Sequence, residues 1–291
     1  MVTALDARVT QAVQGAVLSR QRRLLADLGR TLGAPVVFLK GAWSDAALWG
    51  DRGARRGCDL DALVPAGRFG DFARALEREG FVRWFAPRAR LRTAASRAWT
   101  FTHPSPWRTV DLHRDLGAPP WFPVDNAALI ARAVDWPSPS GAVRALCPED
   151  QLLHLALHHA AEFFSLDDRH TRDVARMLSV APVRWPEVFS RAREARADLA
   201  LALALDAVRA LGADAPDLPW RHDLGFATRE SLVRRWLAPP PGLRRAVPYH
   251  RHADPLLRLP ALSGDWTAGP RFVARWSVLR AGDALLEALT G

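Results

Sequence analysis

The chain has very few of the residues that cross-link small folds. Among its 291 residues there are two cysteines, Cys58 and Cys147, and they form no CxxC pair. A zinc site built from four cysteines and a disulfide framework are therefore excluded. So few cysteines fit a reducing compartment, and we expect a cytoplasmic protein.

Long apolar runs are also missing. The best one spans residues 199–205 and is flanked by Asp198 and Asp206, whereas a membrane helix needs roughly 18 apolar residues. Asp6 and Arg8 interrupt the apolar residues near the N-terminus, so the sequence predicts no signal peptide. We therefore expect no membrane partner.

Lysine is almost absent. Of the 40 basic residues only Lys40 is a lysine, and the net charge is +9. We attribute the arginine excess to the amino-acid usage of a GC-rich genome, which weakens the basic charge as evidence for nucleic-acid binding. The arginines are also spread through both halves and interleaved with acids, whereas a nucleic-acid site favours a concentrated basic stripe. The use of lysine at position 40 singles that residue out.

The hydrophobic pattern predicts two kinds of structure along the chain. With 49% hydrophobic and 24% charged residues, the composition is that of a globular protein, and the length fits about two domains. In the first part, short apolar segments typical of strands alternate with segments whose apolar residues have helical spacing. A proline-rich stretch follows at 118–140, and after Pro148 all apolar residues have helical spacing. We predict an α/β (α+β) domain over residues 1–120 and a mainly helical domain over 121–291.

Two carboxylates stand out in one predicted strand. Asp59 and Asp61 are two positions apart, so both side chains point to the same face of the strand. Their mutual repulsion is relieved by a divalent cation, and Mg²⁺ prefers oxygen ligands. The pattern alone is more typical of two solvated acids on an edge strand. The same repulsion predicts that replacing Asp61 by asparagine leaves the protein folded.

A second predicted strand carries a third carboxylate. In Val110-Asp111-Leu112-His113 the apolar and polar residues alternate, so Asp111 and His113 share the face away from the core. If the two strands are neighbours, the three carboxylates can hold two Mg²⁺ ions roughly 3.5–4 Å apart, as in nucleotidyl transfer. We expect His113 to support the metal ligands without binding the metal itself.

A basic segment precedes the carboxylates. Lys40-Gly41 ends a predicted strand just before a short helix, where a glycine lets backbone approach a phosphate and a helix N-terminus attracts anions. Arg52, Arg55 and Arg56 follow in a loop and offer bidentate phosphate donors. The alternative for the arginines is a solvated loop, and for Lys40 an exposed strand end.

Four sequence blocks occur together over about residues 30 to 180. They are Phe38-Leu39-Lys40-Gly41 with Leu48-x-Gly50, then Arg55-x-x-x-Asp59-Leu60-Asp61-x-Leu63-Val64, then Val110-Asp111-Leu112-His113, and finally Pro148-Glu149-Asp150 through His158 to Asp173. In this order they resemble the uncharacterised bacterial nucleotidyltransferase family of the polymerase β nucleotidyltransferase superfamily. The resemblance implies a small mixed sheet in the first domain, followed by an all-α domain.

The resemblance also implies a role for each matched residue. Asp59 and Asp61 would bind both metal ions, Asp111 would bind the catalytic metal and help deprotonate the acceptor hydroxyl, and Gly41 would lie against the triphosphate. The wider superfamily has Gly-Ser or Gly-Gly where this chain has Lys40-Gly41-Ala42, and Asp59 lies 18 positions after Gly41. The phosphate grip therefore differs, and we expect it to use Lys40, Ser44 or Arg55.

The expected function is nucleotidyl transfer that depends on two Mg²⁺ ions. An NTP such as ATP would give its NMP to a hydroxyl of a small molecule or a protein, and pyrophosphate would leave. One alternative is a non-catalytic, antitoxin-like relative that binds nucleotide or a partner protein, but such a relative is expected to have lost part of its carboxylate set. Nucleic-acid binding is the least favoured interpretation.

Overall fold

A computed structural model describes most of the chain. It covers residues 4–50, 59–84, 96–105, 109–117, 122–138, 141–161 and 169–237, with a few positions from 263 onward. The helices of this part are α1 (Ala4–Leu32), α2 (Lys40–Ala47), α3 (Phe69–Arg78), α4 (Asn126–Ala131), α5 (Pro148–Ala161), α6 (Arg169–Val180), α7 (Trp185–Glu194), α8 (Asp198–Ala210) and α9 (Leu224–Leu237). The strands are β1 (Val37–Phe38), β2 (Asp59–Leu63), β3 (Val82–Arg83), β4 (Ala98–Thr102), β5 (Thr109–His113), β6 (Val134–Trp136) and β7 (Val143–Ala145).

The described strands form one mixed sheet of seven strands. Their order is β3-β4-β5-β2-β1-β7-β6. The pairs β2–β5 and β1–β7 are parallel and the others are antiparallel. This sheet and the helices that follow it confirm the predicted fold class.

The two central strands sort their side chains by face. Leu60 and Ala62 of β2, like Val110 and Leu112 of β5, are fully buried in one hydrophobic cluster. The cluster also contains Leu18 and Leu25 of α1 and Phe69, Phe72 and Leu76 of α3. Because side chains alternate along a strand, the intervening polar residues lie on the opposite face. Burial of the apolar residues therefore fixes which face carries the carboxylates.

Helix α1 also holds α2 in place. The buried guanidinium of Arg22 donates a hydrogen bond to the carbonyl oxygen of Ala42, at 3.0 Å. Trp43 of α2 is fully buried and meets the Trp136 ring of β6 edge to face, with ring centroids 5.1 Å apart. The start of α2, which carries Lys40, is thus anchored on two sides.

Gly29 marks a close approach inside α1. A Cβ atom there would lie 2.9 Å from both the carbonyl oxygen of Ala34 and the Cγ2 of Val36. A Gly→Ala change in a helix usually stabilises by about 1 kcal/mol, but we expect Gly29→Ala to lower the free energy of unfolding by about 1–3 kcal/mol, the usual cost of overpacking. Urea denaturation of the full chain measures this change.

Gly70 provides the matched control for this prediction. It lies in α3, where the nearest atom to an added Cβ is the flexible Nη1 of Arg74, at 3.6 Å. We expect Gly70→Ala to stabilise the chain by about 0.5–1 kcal/mol. Equal stabilisation by both substitutions would contradict the close approach at Gly29.

The chain divides into two compact units. The first contains residues 1–116, 125–147 and 276–291, and the second contains 117–124 and 148–275. The domain boundary predicted at residue 120 stays a prediction. Each compact unit is built from more than one segment, and the segments of the two units alternate along the sequence.

The described part of the second unit is helical. Its helix α8 is buried over residues 199–205, which is the expected state of a helix that is apolar on all sides. Among the described residues, no helix is long and apolar enough to span a membrane.

Candidate active site

The site is built on the parallel pairing of β2 with β5. Asp61 pairs directly with Asp111, and Asp59 pairs with Thr109. Paired residues of neighbouring strands point to the same face, so the three predicted carboxylates lie together on the face opposite the hydrophobic cluster. The structure therefore brings Asp59, Asp61 and Asp111 together.

Asp61 is the buried member of the group. Its Oδ1 lies 3.1 Å from the Nζ of Lys40 and 3.0 Å from the Nε2 of His113, and only 6% of the residue is exposed. Burial alone would raise the pKa of Asp61, but the hydrogen bond with His113 and the charge of Lys40 outweigh it and hold the pKa well below its usual value. Asp61 is therefore a firmly ionised carboxylate.

Lys40 reaches Asp61 from the first position of α2. The N–H of the preceding Leu39 donates to the carbonyl oxygen of Asp61 at 3.0 Å, which fixes the chain at this point. The backbone of Lys40 then turns into α2 with a positive φ of 40°, a conformation that L-residues rarely adopt. Such strained residues persist where the surrounding structure holds them, often at functional sites.

Asp59 lies at the exposed start of β2. Partial burial of its carboxylate raises its pKa, and the negative charges of Asp111 and Asp61 raise it further, while Lys40 opposes them. Burial is thus the largest contribution, and the repulsion from two neighbouring carboxylates adds to it. A bound cation would relieve this repulsion.

Asp111 is fixed by a residue that sequence reasoning missed. Thr100 of β4 is its antiparallel partner, and the Thr100 hydroxyl donates a hydrogen bond to Asp111 Oδ1 at 2.6 Å. Thr100 carries no local signal in the sequence, because its contribution depends on β4 pairing with β5. Knowledge of that register is the signal that would have identified it.

The other predicted residues have mixed positions. His113 contacts Asp61, which lies two residues along β2 from Leu63, the direct partner of His113. Gly41 is half-buried beside Lys40 in the first turn of α2. Ser44 is fully buried, and its hydroxyl has no hydrogen-bond partner among the described residues, so its side chain is not placed to meet a phosphate from solvent. Arg55 lies outside the described residues.

The donor set fits a hard divalent cation by its chemistry. All three acids offer carboxylate oxygens, the ligands that Mg²⁺ prefers, and burial together with the charges of Asp111 and Asp61 raises the pKa of Asp59. Within the described ranges, no group of three or more His, Cys, Asp or Glu side chains is arranged to hold a metal ion. Lys40 and His113 instead share one oxygen of Asp61, and Thr100 contacts one oxygen of Asp111.

A family model described as uncharacterised nucleotidyltransferase matches residues 4–212, which is most of the chain. The chain belongs to this nucleotidyltransferase family. The match spans β1, α2, β2 and β5, so every residue of the site lies within it. The family assignment confirms the resemblance of the four sequence blocks and identifies the chain as a nucleotidyltransferase.

Several solved structures are similar to the family member described here. The antibiotic-resistance factor ANT(2'')-Ia has a TM-score of 0.43 at 13% identity, covering 70% of this chain and 96% of that one. An antigenic nucleotidyltransferase-like protein from Paracoccidioides brasiliensis has a TM-score of 0.43 at 16% identity, covering 69% and 94%. The lincosamide antibiotic adenylyltransferase LnuA has a TM-score of 0.38 at 15% identity, covering 54% and 94%. No curated protein matches the chain.

Proposed function

We propose that this nucleotidyltransferase moves an NMP from an NTP to a hydroxyl group of a small molecule or a protein, in a reaction that depends on Mg²⁺. The observation that carries the proposal is the register of β2 against β5, which places Asp59, Asp61 and Asp111 on one face of adjacent strands. Three carboxylates repel one another, so it is costly to keep them together without a cationic ligand. Their maintenance beside a lysine fits a site for metal-bound triphosphate.

Asp111 is the proposed general base. It removes the proton of the acceptor hydroxyl, whose oxygen forms a bond to the α-phosphorus while the bond from the α-phosphorus to the bridging oxygen breaks and pyrophosphate leaves. The hydrogen bond from Thr100 holds one oxygen of Asp111 and orients the carboxylate for this step. The proton stays on Asp111 until solvent removes it.

By the proposal, two metal ions bind, and Asp59, Asp61 and Asp111 are the residues that would hold them. Bound Mg²⁺ would neutralise phosphate charge and lower the pKa of the acceptor hydroxyl. Lys40 and the Gly41 backbone would contact the phosphates, since Lys40 supplies a compact charge and Gly41 has no side chain to block the approach. ATP is the NTP that we propose to test first.

Labelled nucleotides test this function directly. The full chain is incubated with Mg²⁺ and either α-³²P- or γ-³²P-ATP, then with the other NTPs, in the presence of hydroxylated small molecules or a cell extract. Nucleotidyl transfer places the α-label on an acceptor and the γ-label in pyrophosphate. Transfer of the γ-label to an acceptor, or no transfer that depends on Asp111, would contradict the proposal.

Thr100 offers a test of how Asp111 is positioned. We expect Thr100→Val to lower kcat about tenfold with little change in the KM for NTP, because only the orientation of the base is lost. Thr100→Ser keeps the hydroxyl and should retain most of the activity. Steady-state kinetics measure both values, and an equal loss in the two variants would show that Thr100 acts through packing.

A further inference from the structure

A cation of the protein itself contacts Asp61, one of the carboxylates proposed to bind metal. Lys40 Nζ lies 3.1 Å from Asp61 Oδ1, and the Lys40 side chain is 17% exposed. The Nε2 of His113 lies 3.0 Å from the same oxygen. An ion that approaches Asp61 therefore competes with Lys40 for the carboxylate and is repelled by its charge.

The side-chain ammonium of Lys40 can also move away from Asp61. Its ammonium sits on a flexible four-carbon stem, so the charge can move by several ångströms without a change in the backbone. The backbone itself is held by the hydrogen bond from Leu39 N–H to Asp61 O and by the contact of Arg22 with α2. The end of the side chain is thus the mobile part of a fixed segment, next to the face where the triphosphate is proposed to bind.

We infer that Lys40 is an internal counter-cation that couples metal binding to nucleotide binding. This inference rests on the proposed function and adds a regulation of the same site. Without nucleotide, Lys40 neutralises Asp61 and opposes the metal. When a triphosphate binds, it offers Lys40 another anionic partner, and Asp61 becomes available to the ion. Because coupling between two ligands is reciprocal, the metal also raises the affinity for nucleotide.

The coupling protects the protein from holding a metal ion without its substrate. Asp59, Asp61 and Asp111 lie on one face of adjacent strands, so without a local cation this face would attract divalent ions by itself. The only lysine of an arginine-rich chain stands at this position. An arginine has a planar, weakly mobile head group and suits a stable pair, whereas exchange between two anions favours lysine.

Titration with Mn²⁺ alone tests the inference. Free Mn²⁺ is counted by electron paramagnetic resonance at one fixed pH, with no nucleotide and no acceptor present. A charge at contact distance shifts the pKa of a carboxylate by about one unit or more, which is a tenfold change in its affinity for a cation. We therefore expect Lys40→Met to bind Mn²⁺ at least about tenfold more tightly than the unmodified chain. Lys40→Arg should bind it as weakly as the unmodified chain.

Arg74→Met is the matched control. It removes one positive charge from the same unit, at a residue of α3 that pairs with Asp71 and has a 69% exposed side chain. Its Mn²⁺ affinity should equal that of the unmodified chain. Equal affinities for Lys40→Met and Arg74→Met would overturn the inference while leaving the proposed function intact. If no variant binds Mn²⁺, the inference and the metal-dependent function both fail.

A second measurement on the unmodified chain covers the case in which Lys40→Met does not fold. Lysine labelled with ¹³C at its ε-carbon gives one side-chain signal, since Lys40 is the only lysine. We expect the signal to stay near its starting position with Mg²⁺ alone and to shift when Mg²⁺ is added with a non-hydrolysable ATP analogue. A signal that shifts fully with Mg²⁺ alone, or does not shift with both ligands, would overturn the inference.

Discussion

Asp111→Asn is expected to remove transfer activity while preserving most of the affinity for nucleotide. The asparagine oxygen still accepts the hydrogen bond of Thr100, so the side chain keeps its place. The substitution removes the charge and the ability to take a proton, which general base catalysis uses only in the transition state. We expect kcat to fall by about 10²–10⁴-fold, the range for general acid–base catalysis. Because the interaction is absent from the ground state, kcat/KM falls with kcat.

Two measurements separate binding from chemistry for Asp111→Asn. Turnover with labelled NTP gives kcat, and calorimetric titration with a non-hydrolysable NTP gives the affinity. Asp71→Asn is the control, since Asp71 is a carboxylate on α3 that pairs with Arg74 and lies outside the site. Full turnover in Asp111→Asn would eliminate Asp111 as the base, and Asp115 would be the next residue to test.

Asp61→Asn is expected to cost both function and stability. Asparagine leaves the ammonium of Lys40 without its carboxylate in a largely buried place. Breaking a buried pair by removal of one partner costs about 3–5 kcal/mol, and we expect about 3 kcal/mol because Lys40 keeps some solvent contact and the repulsion with Asp59 is relieved. The Asp-x-Asp pattern alone predicts only that the variant stays folded, since it shows the repulsion but not the pair.

The stability effect has a pH signature with a defined sign. The pKa of Asp61 is lower in the folded chain than in the unfolded chain, so the folded state binds fewer protons there. Its contribution to stability is complete above the unfolded value of about 4 and is lost as the pH falls below it. We expect the unfolding free energies of the unmodified chain and of Asp61→Asn to differ most above pH 5 and to converge at lower pH.

A double variant checks that the loss belongs to the pair. Lys40→Met combined with Asp61→Asn removes both partners, so it should be more stable than Asp61→Asn alone. Urea denaturation at neutral pH measures all four forms of the cycle. Additive losses in the double variant would show that Lys40 and Asp61 do not stabilise each other.

The polar face was predictable because it depends on local alternation. Leu60 and Leu112 identify the core side of β2 and β5, and the carboxylates follow on the other side by the two-residue period of a strand. The mixed fold class is confirmed, and the described residues after Pro148 form the helices α5 to α9, since such patterns depend on neighbouring positions. The roles of Asp59, Asp61 and Asp111 stay predictions.

The contacts between strands were not predictable. That Thr100 meets Asp111, and that His113 meets Asp61, depends on strand order and register, which one strand pattern does not contain. Strands β6 and β7 were missed because each has three residues and they lie in or beside a proline-rich stretch, too short for a periodic signal. The burial of Ser44 likewise depends on which face of α2 packs inward.

The pairing of β1 has a consequence for synthesis of the chain. β1 lies between β2 and β7, and β7 is made more than a hundred residues after β1. Until residues 143–145 leave the ribosome, β1 is an edge strand whose free N–H and C=O groups are a template for wrong pairing. Domains are generally completed in the order of their synthesis, but here a late strand closes the sheet beside the segment that ends in Lys40. A chain that ends before residue 143 therefore leaves β1, which stands just before Leu39 and Lys40, exposed to pairing with other molecules.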